Sequence, residues 1–177
     1  PYGRDEGPVM DFPMLETFDR TKDVSLYVHI PYCHSRCSYC AFYSVSDSQW
    51  KLGPQDSYMK RLLVEVRAVA TWLEKPFHTV YIGGGNPGCL EPEALGLLLD
   101  ACRLYGVPDE LTVEMNPESL TDRRMDILAR KATRLSMGVQ SLSESTLRVL
   151  GRNSTRTRTL EGMERARFLK REHGLEL

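Results

Sequence analysis

The sequence has no surplus of charge of either sign, because 23 Lys and Arg residues are balanced by 24 Asp and Glu residues in a chain of 177. Without a basic face, we expect no electrostatic binding to nucleic acid or to an anionic membrane. No apolar run approaches the roughly 18 residues that a transmembrane helix needs. The sequence therefore predicts a soluble protein with no transmembrane segment.

Cysteine is also sparse. Five cysteines, an odd number, are too few for a small secreted domain held together by disulfides. The first residues show no signal-peptide pattern. We therefore expect a reducing compartment and a cytoplasmic location. Apolar residues nevertheless make up 41% of the chain, which is enough for a hydrophobic core and argues against disorder.

Short apolar runs alternate with amphipathic segments along the chain. The predicted strands cover residues 25–30, 79–82, 111–115 and 134–139, and the predicted helices cover residues 56–75, 91–104, 121–130, 143–151 and 157–173. This alternation predicts a parallel sheet with crossover helices, either a barrel or an open doubly wound sheet. Residues 1–23 mix proline, glycine and charge without a period, so we expect an irregular leader there.

The last residues, 175–177, have the character of a fifth strand that is only beginning. A parallel sheet that ends there has an open edge and uncovered helix faces. We therefore expect residues 24–177 to be the N-terminal portion of a larger α/β domain whose C-terminal part is missing.

Cys33, Cys37 and Cys40 form a C-x3-C-x2-C run directly after the first predicted strand. Three thiolates within eight residues can turn toward one centre, and sulfur ligands suit either zinc or an iron–sulfur cluster. A structural zinc site normally has four protein ligands, and no second Cys or His pair follows at zinc-finger spacing. The run therefore favours an iron–sulfur cluster, and a structural zinc module is the alternative.

Three more segments follow predicted strands. They are the Gly-Gly-Gly-Asn-Pro sequence at residues 83–87, Glu114 within an otherwise apolar run, and the segment that contains Gln140 and, farther on, Arg152. Glycines let a ligand approach the backbone, and a buried carboxylate needs a partner or a ligand. Because ligand sites in parallel α/β folds collect at the carboxyl ends of the strands, we expect these segments to share one site.

With these motifs the sequence resembles the radical S-adenosylmethionine (SAM) superfamily. Residues 27–33, Tyr-Val-His-Ile-Pro-Tyr-Cys, with Cys37 and Cys40, are similar within it to the oxygen-independent coproporphyrinogen III oxidases and their haem-chaperone relatives. The resemblance implies a partial (β/α) radical-SAM barrel, with about four of its six parallel strands in this chain. It also implies a 4Fe–4S cluster on Cys33, Cys37 and Cys40, with SAM bound at the fourth iron.

The same resemblance implies which side chains and backbone groups contact SAM. These residues are Tyr27, Tyr39, Gly84, Gly85, Asn86, Glu114, Gln140 and Arg152. Glu114 is assigned to the ribose hydroxyls, and the glycines to the amino group of SAM. The family carries Thr where this chain has Asn86, so the hydroxyl is lost at that position. Asn116 and Pro117 are expected to shape the turn after the third strand.

One position discriminates between the branches of the family. The decarboxylating oxidases carry a further cysteine two residues after the third, where this chain has Phe42. Phe42 favours the haem-chaperone branch, which binds haem and delivers it to respiratory proteins, and the oxidase of porphyrin biosynthesis is the alternative. The partners that the resemblance implies are therefore SAM, haem or a porphyrinogen, and a haem-accepting client protein.

The remaining candidate ligands have simpler interpretations. Cys102 lies on the apolar face of the second predicted helix, so we expect it in the core. Cys89 is interpreted as a small loop residue. His29 lies within the first predicted strand, where a packed and hydrogen-bonded histidine is expected.

Overall fold

The computed structural model describes residues 13–46, 53 and 56–177. The strands are β1 Leu26–Ile30, β2 Tyr32–Cys33, β3 Val45–Ser46, β4 Thr79–Gly84, β5 Glu110–Met115 and β6 Arg134–Met137. The α-helices are α1 Ser57–Leu73, α2 Pro92–Cys102, α3 Asp122–Lys131, α4 Glu144–Val149 and α5 Arg156–His173. Short 3-10 helices occupy Pro13–Thr17, Pro87–Cys89 and Pro117–Ser119.

The main sheet is parallel and has the strand order β1-β4-β5-β6. Helices α1, α2 and α3 connect its strands, which confirms the predicted α/β class with crossover helices. A parallel bridge between Arg134 and Glu176 adds the beginning of a further strand beside β6, and the N–H of Leu135 donates to the carbonyl of Glu176 over 2.8 Å. The fifth strand that the sequence predicted to begin at residues 175–177 therefore begins there, with one bridge to β6.

The two faces of the sheet differ in polarity. On one face, side chains such as Val28, Ile82, Val113 and Leu135 are fully buried in the core that the helices cover. The opposite face carries polar and aromatic side chains, which are listed here from β1 to β6: Tyr27, His29, Tyr81, Thr112, Glu114 and Ser136. A one-sided core of this kind fixes the register, since a slip of one residue would exchange the two faces.

Local signals set the ends of the helices. The carboxylate of Asp56 accepts hydrogen bonds from the N–H groups of Tyr58 and Met59 and so caps α1. Thr155 caps α5 in the same way, and Gly174 ends that helix in the left-handed conformation, with a φ of 69°. Because α5 packs on α3 and on the turn at residues 117–119, it supports the loops at the carboxyl end of the sheet.

Some details differ from the sequence-based expectation. Strands β2 and β3 form a second, two-residue parallel pair that the sequence did not indicate, since so short a pair has no period. Strand β6 ends at Met137 because the chain turns at Gly138. Within the expected irregular leader, residues 13–17 form a 3-10 turn, and residues 1–12 lie outside the described residues.

Among the described residues, no helix combines the length and the apolar character that crossing a membrane requires.

Candidate cofactor site

A cavity of about 160 Å³ opens at the carboxyl end of the main sheet. The ends of β4 and β5 and the segments that follow β1, β4, β5 and β6 form its wall, as expected for a ligand site in a parallel α/β fold. The lining residues are Cys33, Ser35, Cys37, Tyr39, Cys40, Phe42, Ser44, Gly84, Gly85, Glu114, Met115, Asn116, Gly138, Gln140 and Arg152. The structure thus brings together most of the side chains that the sequence indicated, whereas Tyr27 and Asn86 do not line the cavity.

The loop that carries the cysteines is held at both of its sides. At its base, the N–H of Val45 donates to the carbonyl of Pro31 over 2.7 Å, next to the β2–β3 pair. At its far side, Ser38 donates through its N–H to the carbonyl of Leu150 and through its hydroxyl to the carbonyl of Val149. The end of α4 therefore anchors the middle of the loop, between the first and third cysteines.

All three thiols are free and partly buried on the same wall. Burial raises the pKa of the Cys33 thiol, the Ser44 hydrogen bond opposes this, and the nearby Cys37 and Cys40 thiolates raise the pKa further. In the described part of the chain, no three Cys, His, Asp or Glu side chains are arranged around one metal ion. Three thiols on one wall suit a cluster, in which each cysteine binds a different iron, and they are one ligand short of the four that a structural zinc site normally has.

The glycine segment after β4 lies directly against the cysteine segment. The N–H of Gly85 donates to the carbonyl of Ile30 over 2.7 Å. A Cβ atom on Gly85 would lie 2.7 Å from the carbonyl oxygen of Tyr32 and 3.0 Å from Cys33 Sγ. Only glycine fits this approach, so the backbone of the segment forms part of the cavity wall beside the first cysteine.

Asn86 does not line the cavity and is only 3% exposed. Its side-chain amide donates to Ser119 Oγ over 3.0 Å, and its Oδ1 accepts from the N–H of Gly88 over 2.9 Å. A Cβ atom on Gly88 would lie 2.3 Å from the Cβ of Ser119, so the two loops pack without space between them. The Asn86 side chain therefore connects the loop after β4 to the loop after β5.

Arg152 is almost fully buried, with 6% of its side chain exposed, although it lines the cavity. Its Nη1 donates to Asn116 Oδ1 over 2.7 Å, and its Nη2 donates to the carbonyl of Gly138 over 2.9 Å. Glu118 Oε2 lies 3.9 Å from Nη2, beyond hydrogen-bond distance. Among the described residues, neither Arg152 Nε nor Glu118 Oε2 has a hydrogen-bond partner, although both atoms are buried.

Gln140 lies at the cavity in a left-handed backbone conformation, with a φ of 61°. This region is unfavourable for a residue other than glycine, asparagine or aspartate, and such conformations concentrate at functional sites. The residue is exposed, so packing alone does not explain the conformation.

The polar face of the sheet extends from the cavity through hydrogen bonds and ring contacts. Tyr81 donates to Glu114 Oε2 over 3.3 Å. Burial raises the pKa of Tyr81, the Ser136 hydrogen bond opposes this, and the Glu114 charge raises the pKa further. Tyr27 stacks on Tyr81 and lies 3.1 Å from His29 Nδ1 through its hydroxyl. The other ring nitrogen of His29, Nε2, is hydrogen-bonded to the carbonyl oxygen of Tyr43 over 3.0 Å. His29 is therefore packed and hydrogen-bonded, as predicted.

The two remaining cysteines are buried outside the cavity. Cys102 belongs to the core, as expected. Cys89 lies in the short 3-10 helix after the glycine segment, and burial raises its pKa to about 12. Neither thiol lines the cavity.

Several lining residues were not identified as candidates from the sequence. They are Ser35, Phe42, Ser44, Met115, Asn116 and Gly138. The available signal was position, since Met115, Asn116 and Gly138 lie at or next to the ends of predicted strands. Asn116 was expected to shape a turn, which it does as the residue before Pro117–Ser119, but its side chain also binds Arg152.

Comparison with known proteins agrees with this geometry. The sequence model of the Radical SAM superfamily matches residues 27–172. The heme chaperone HemW of Lactococcus lactis subsp. lactis (strain IL1403) is 36% identical over 148 residues, which cover 81% of this chain and 38% of HemW. The oxygen-independent coproporphyrinogen-III oxidase-like protein HemZ of Bacillus subtilis (strain 168) is 31% identical over 169 residues, which cover 88% of this chain and 32% of HemZ.

A solved structure has the same fold. The coproporphyrinogen III oxidase (HemN) from Escherichia coli, a radical SAM enzyme, superimposes with a TM-score of 0.69 and 24% sequence identity. The match covers 82% of this chain and 34% of that structure. The chain spans about a third of the length of the curated relatives it matches. It belongs to the Radical SAM superfamily, and its parallel sheet is part of the barrel of that family.

Proposed function

We propose that this chain provides the cluster-binding and SAM-binding portion of a radical SAM haem chaperone. The observation that carries the proposal is the cavity at the carboxyl end of the sheet, which three thiols, a glycine backbone edge, Glu114 and Arg152 line together. Membership in the superfamily implies a 4Fe–4S cluster and SAM. The haem-chaperone part of the proposal is supported by similarity to relatives that are named heme chaperone HemW, such as the protein of Lactococcus lactis.

In this proposal Cys33, Cys37 and Cys40 hold the cluster. When bound, the reduced cluster supplies the electron for reductive cleavage of SAM. The cysteine loop forms one wall of the cavity, and its anchoring to the end of α4 keeps the three thiols on that wall. A fixed loop reduces the ordering cost of binding, since the ligand groups are already in place.

The other side chains bind and orient SAM. The Glu114 carboxylate already accepts from Tyr81 through one oxygen and can accept ribose hydroxyls through the remaining positions. Arg152 offers a buried cation for the SAM carboxylate, and the backbone at Gly84 and Gly85 offers carbonyl oxygens for the amino group. Gln140 contributes an amide at the open side of the cavity.

Two implied contacts have a different form in this proposal. The side chain of Asn86 is committed to Ser119 and Gly88, so residue 86 contributes through its backbone and through the position of its loop. Tyr27 lies outside the lining and acts through the stack with Tyr81, while Tyr39 forms part of the cavity wall.

Phe42 supports the chaperone over the decarboxylating oxidase. It lines the cavity at the position of the oxidases' additional cysteine, and 62% of its surface is exposed. A phenyl ring offers apolar contact and no thiol chemistry. Haem, a haem-accepting client and a cytoplasmic location, where the cysteines stay reduced, are parts of the same proposal.

Anaerobic reconstitution with iron and sulfide, followed by metal analysis and spectroscopy, tests the proposal. We expect an oxygen-sensitive brown protein whose spectrum changes when SAM is added. A colourless, air-stable protein that holds zinc and loses its fold with a chelator would favour the zinc module instead.

A second measurement separates the two branches of the family. The reconstituted protein is titrated with haem and, separately, incubated with coproporphyrinogen III, SAM and a reductant. Haem binding without loss of the propionate carboxyl groups supports the chaperone. Decarboxylation of the porphyrinogen supports the oxidase.

A further inference from the structure

We propose that Asn116 is a positioning residue that fixes the guanidinium of Arg152 for the carboxylate of SAM, and that Glu118 is the counter-charge of Arg152. This role rests on the proposed function, since it concerns the same cavity. It assigns a purpose to Asn116, which the sequence indicated only as part of a turn, and to Glu118, which the sequence did not indicate.

The first argument is the way in which Arg152 is held. Its two terminal nitrogens donate to Asn116 Oδ1 over 2.7 Å and to the carbonyl of Gly138 over 2.9 Å. Both acceptors are neutral, so they orient the guanidinium without cancelling its charge. Hydrogen bonds to a charged group are stronger than those between neutral groups, so Asn116 restrains a side chain that otherwise has many rotamers.

The second argument is that Asn116 is itself held in place. It lies between β5 and the 3-10 helix Pro117–Ser119, and its N–H lies 3.5 Å from Asn86 Oδ1. Asn86 is fixed in turn by Ser119 and Gly88. A chain of contacts therefore connects the loops after β4 and β5 to Arg152, and all of its side chains are buried or partly buried.

The third argument is the hydrogen-bonding capacity that remains. The Nε of Arg152 is buried beside the cavity and has no partner among the described residues. A buried N–H without a partner is costly, and the carboxylate of a ligand can pair with it. Glu118 does not satisfy this need, because its Oε2 lies 3.9 Å from Nη2 and makes no hydrogen bond among those residues.

The position of Glu118 suits a counter-charge. A buried cation without a nearby anion is strongly unfavourable, and Glu118 supplies the anion at a distance that leaves the guanidinium donors free. Glu118 therefore offsets part of the cost of burying the Arg152 guanidinium, and the guanidinium can still bind a carboxylate.

The experiment compares two ligands that differ in one group. SAM and decarboxylated SAM are titrated into the anaerobically reconstituted chain by isothermal titration calorimetry. We expect Asn116→Ala to weaken the binding of SAM about tenfold, because the guanidinium loses a charge-assisted hydrogen bond. Decarboxylated SAM, which has no carboxylate to meet Arg152, should bind within about twofold of its original affinity.

Two further variants keep the test independent of folding. Asn116→Asp retains the size and the acceptor oxygen but adds a negative charge beside Arg152, so SAM should again lose about tenfold while decarboxylated SAM does not. Asn153→Ala is the matched control, because Asn153 is exposed and adjacent to Arg152. It should leave both affinities unchanged.

Glu118→Gln tests the counter-charge separately. Removing an opposing charge near the carboxylate should strengthen the binding of SAM about threefold and leave decarboxylated SAM unchanged. An unchanged or weakened affinity for SAM in this variant would contradict the counter-charge assignment.

The outcomes distinguish this role from the proposed function. If the unaltered chain does not bind SAM, the proposed function fails and this role fails with it. If the unaltered chain binds SAM but Asn116→Ala and Asn116→Asp weaken both ligands equally, Asn116 merely supports the loop and the positioning role alone is overturned.

Discussion

The two ends of the parallel sheet are built on different principles. At the amino end, exposed contacts between polar groups that already have partners predominate. His78 Nδ1 lies 3.1 Å from Asp109 Oδ2, the N–H of Asp109 donates to the carbonyl of His78, and the N–H of His78 donates to the carbonyl of Val24. At the carboxyl end, in the described part of the chain, lie the buried side-chain atoms that lack a hydrogen bond, on Glu118, Arg124 and Arg152.

The difference shows how one sheet serves two purposes. The amino end and the helix-covered face satisfy their own polar groups and bury apolar surface, so they supply stability. The carboxyl end keeps thiols, a strained glutamine and a cation with a free donor, which a ligand can satisfy. Such groups lower the stability of the folded chain when no ligand is bound to them, and favourable contacts elsewhere in the structure must compensate for this loss.

The strongest test of this contrast is the loss of a single cysteine. Alanine at Cys33, Cys37 or Cys40 should reduce iron and sulfide after reconstitution to background, because a cluster held by two thiolates is not retained. Cys102→Ala is the matched control, since this thiol lies in the core and not in the cavity. Normal iron content in any of the three variants would contradict the assignment of that ligand.

A pair of glycine substitutions compares the carboxyl end with a helix. Gly85→Ala should cost about 2–3 kcal/mol of unfolding free energy, because its Cβ would lie 2.7 Å from the carbonyl of Tyr32. Gly96→Ala, within α2, should instead stabilise by about 1 kcal/mol, since its nearest neighbour would lie 3.9 Å away. Urea denaturation measures both, and equal effects would show that the glycine segment is not tightly packed.

Breaking the contact between the loops after β4 and β5 should reduce the stability by a moderate amount. Asn86→Ala removes the acceptor of the Gly88 N–H and the donor to Ser119, so we expect a loss of about 1–2 kcal/mol in urea denaturation. Asn86→Thr retains an oxygen for Gly88 and should lose less. A threonine variant that is weaker than the alanine variant would contradict this explanation.

The smallest effect is expected at the amino end. Asp109→Asn removes an exposed carboxylate 3.1 Å from the ring of His78, a kind of surface contact that contributes about 0.2–1 kcal/mol at most, and it should leave iron content and SAM binding unchanged. Thermal denaturation measures the change in stability, metal analysis measures the iron content, and calorimetry measures SAM binding. A change in SAM binding would show that the two ends of the sheet are coupled.

The fold was largely predictable because strands and helices have different hydrophobic periods. The strand predicted at residues 111–115 became Glu110–Met115, and the helix predicted at residues 157–173 became Arg156–His173. Strand β4 extends to Gly84, beyond the predicted end at residue 82, because Gly83 and Gly84 pair with His29 and Ile30. Backbone pairing can include glycines that local propensity excludes.

The site was predictable to a lesser degree. Spacing and position identified the cysteines and the loops at the carboxyl end, since parallel strands place such loops together. The direction of a side chain within a loop depends on contacts with other loops, and no local pattern records them. The inward turn of Asn86 and the hydrogen bond between Asn116 and Arg152 therefore became visible only in three dimensions.

The tight contact between Gly88 and Ser119 has a consequence for the evolution of this chain. Because Asn86 reaches Ser119 only where position 88 lacks a side chain, a single replacement at any of the three positions disturbs the other two. We expect these positions to vary together among homologues, so that proteins with threonine at position 86 carry a different pair at positions 88 and 119.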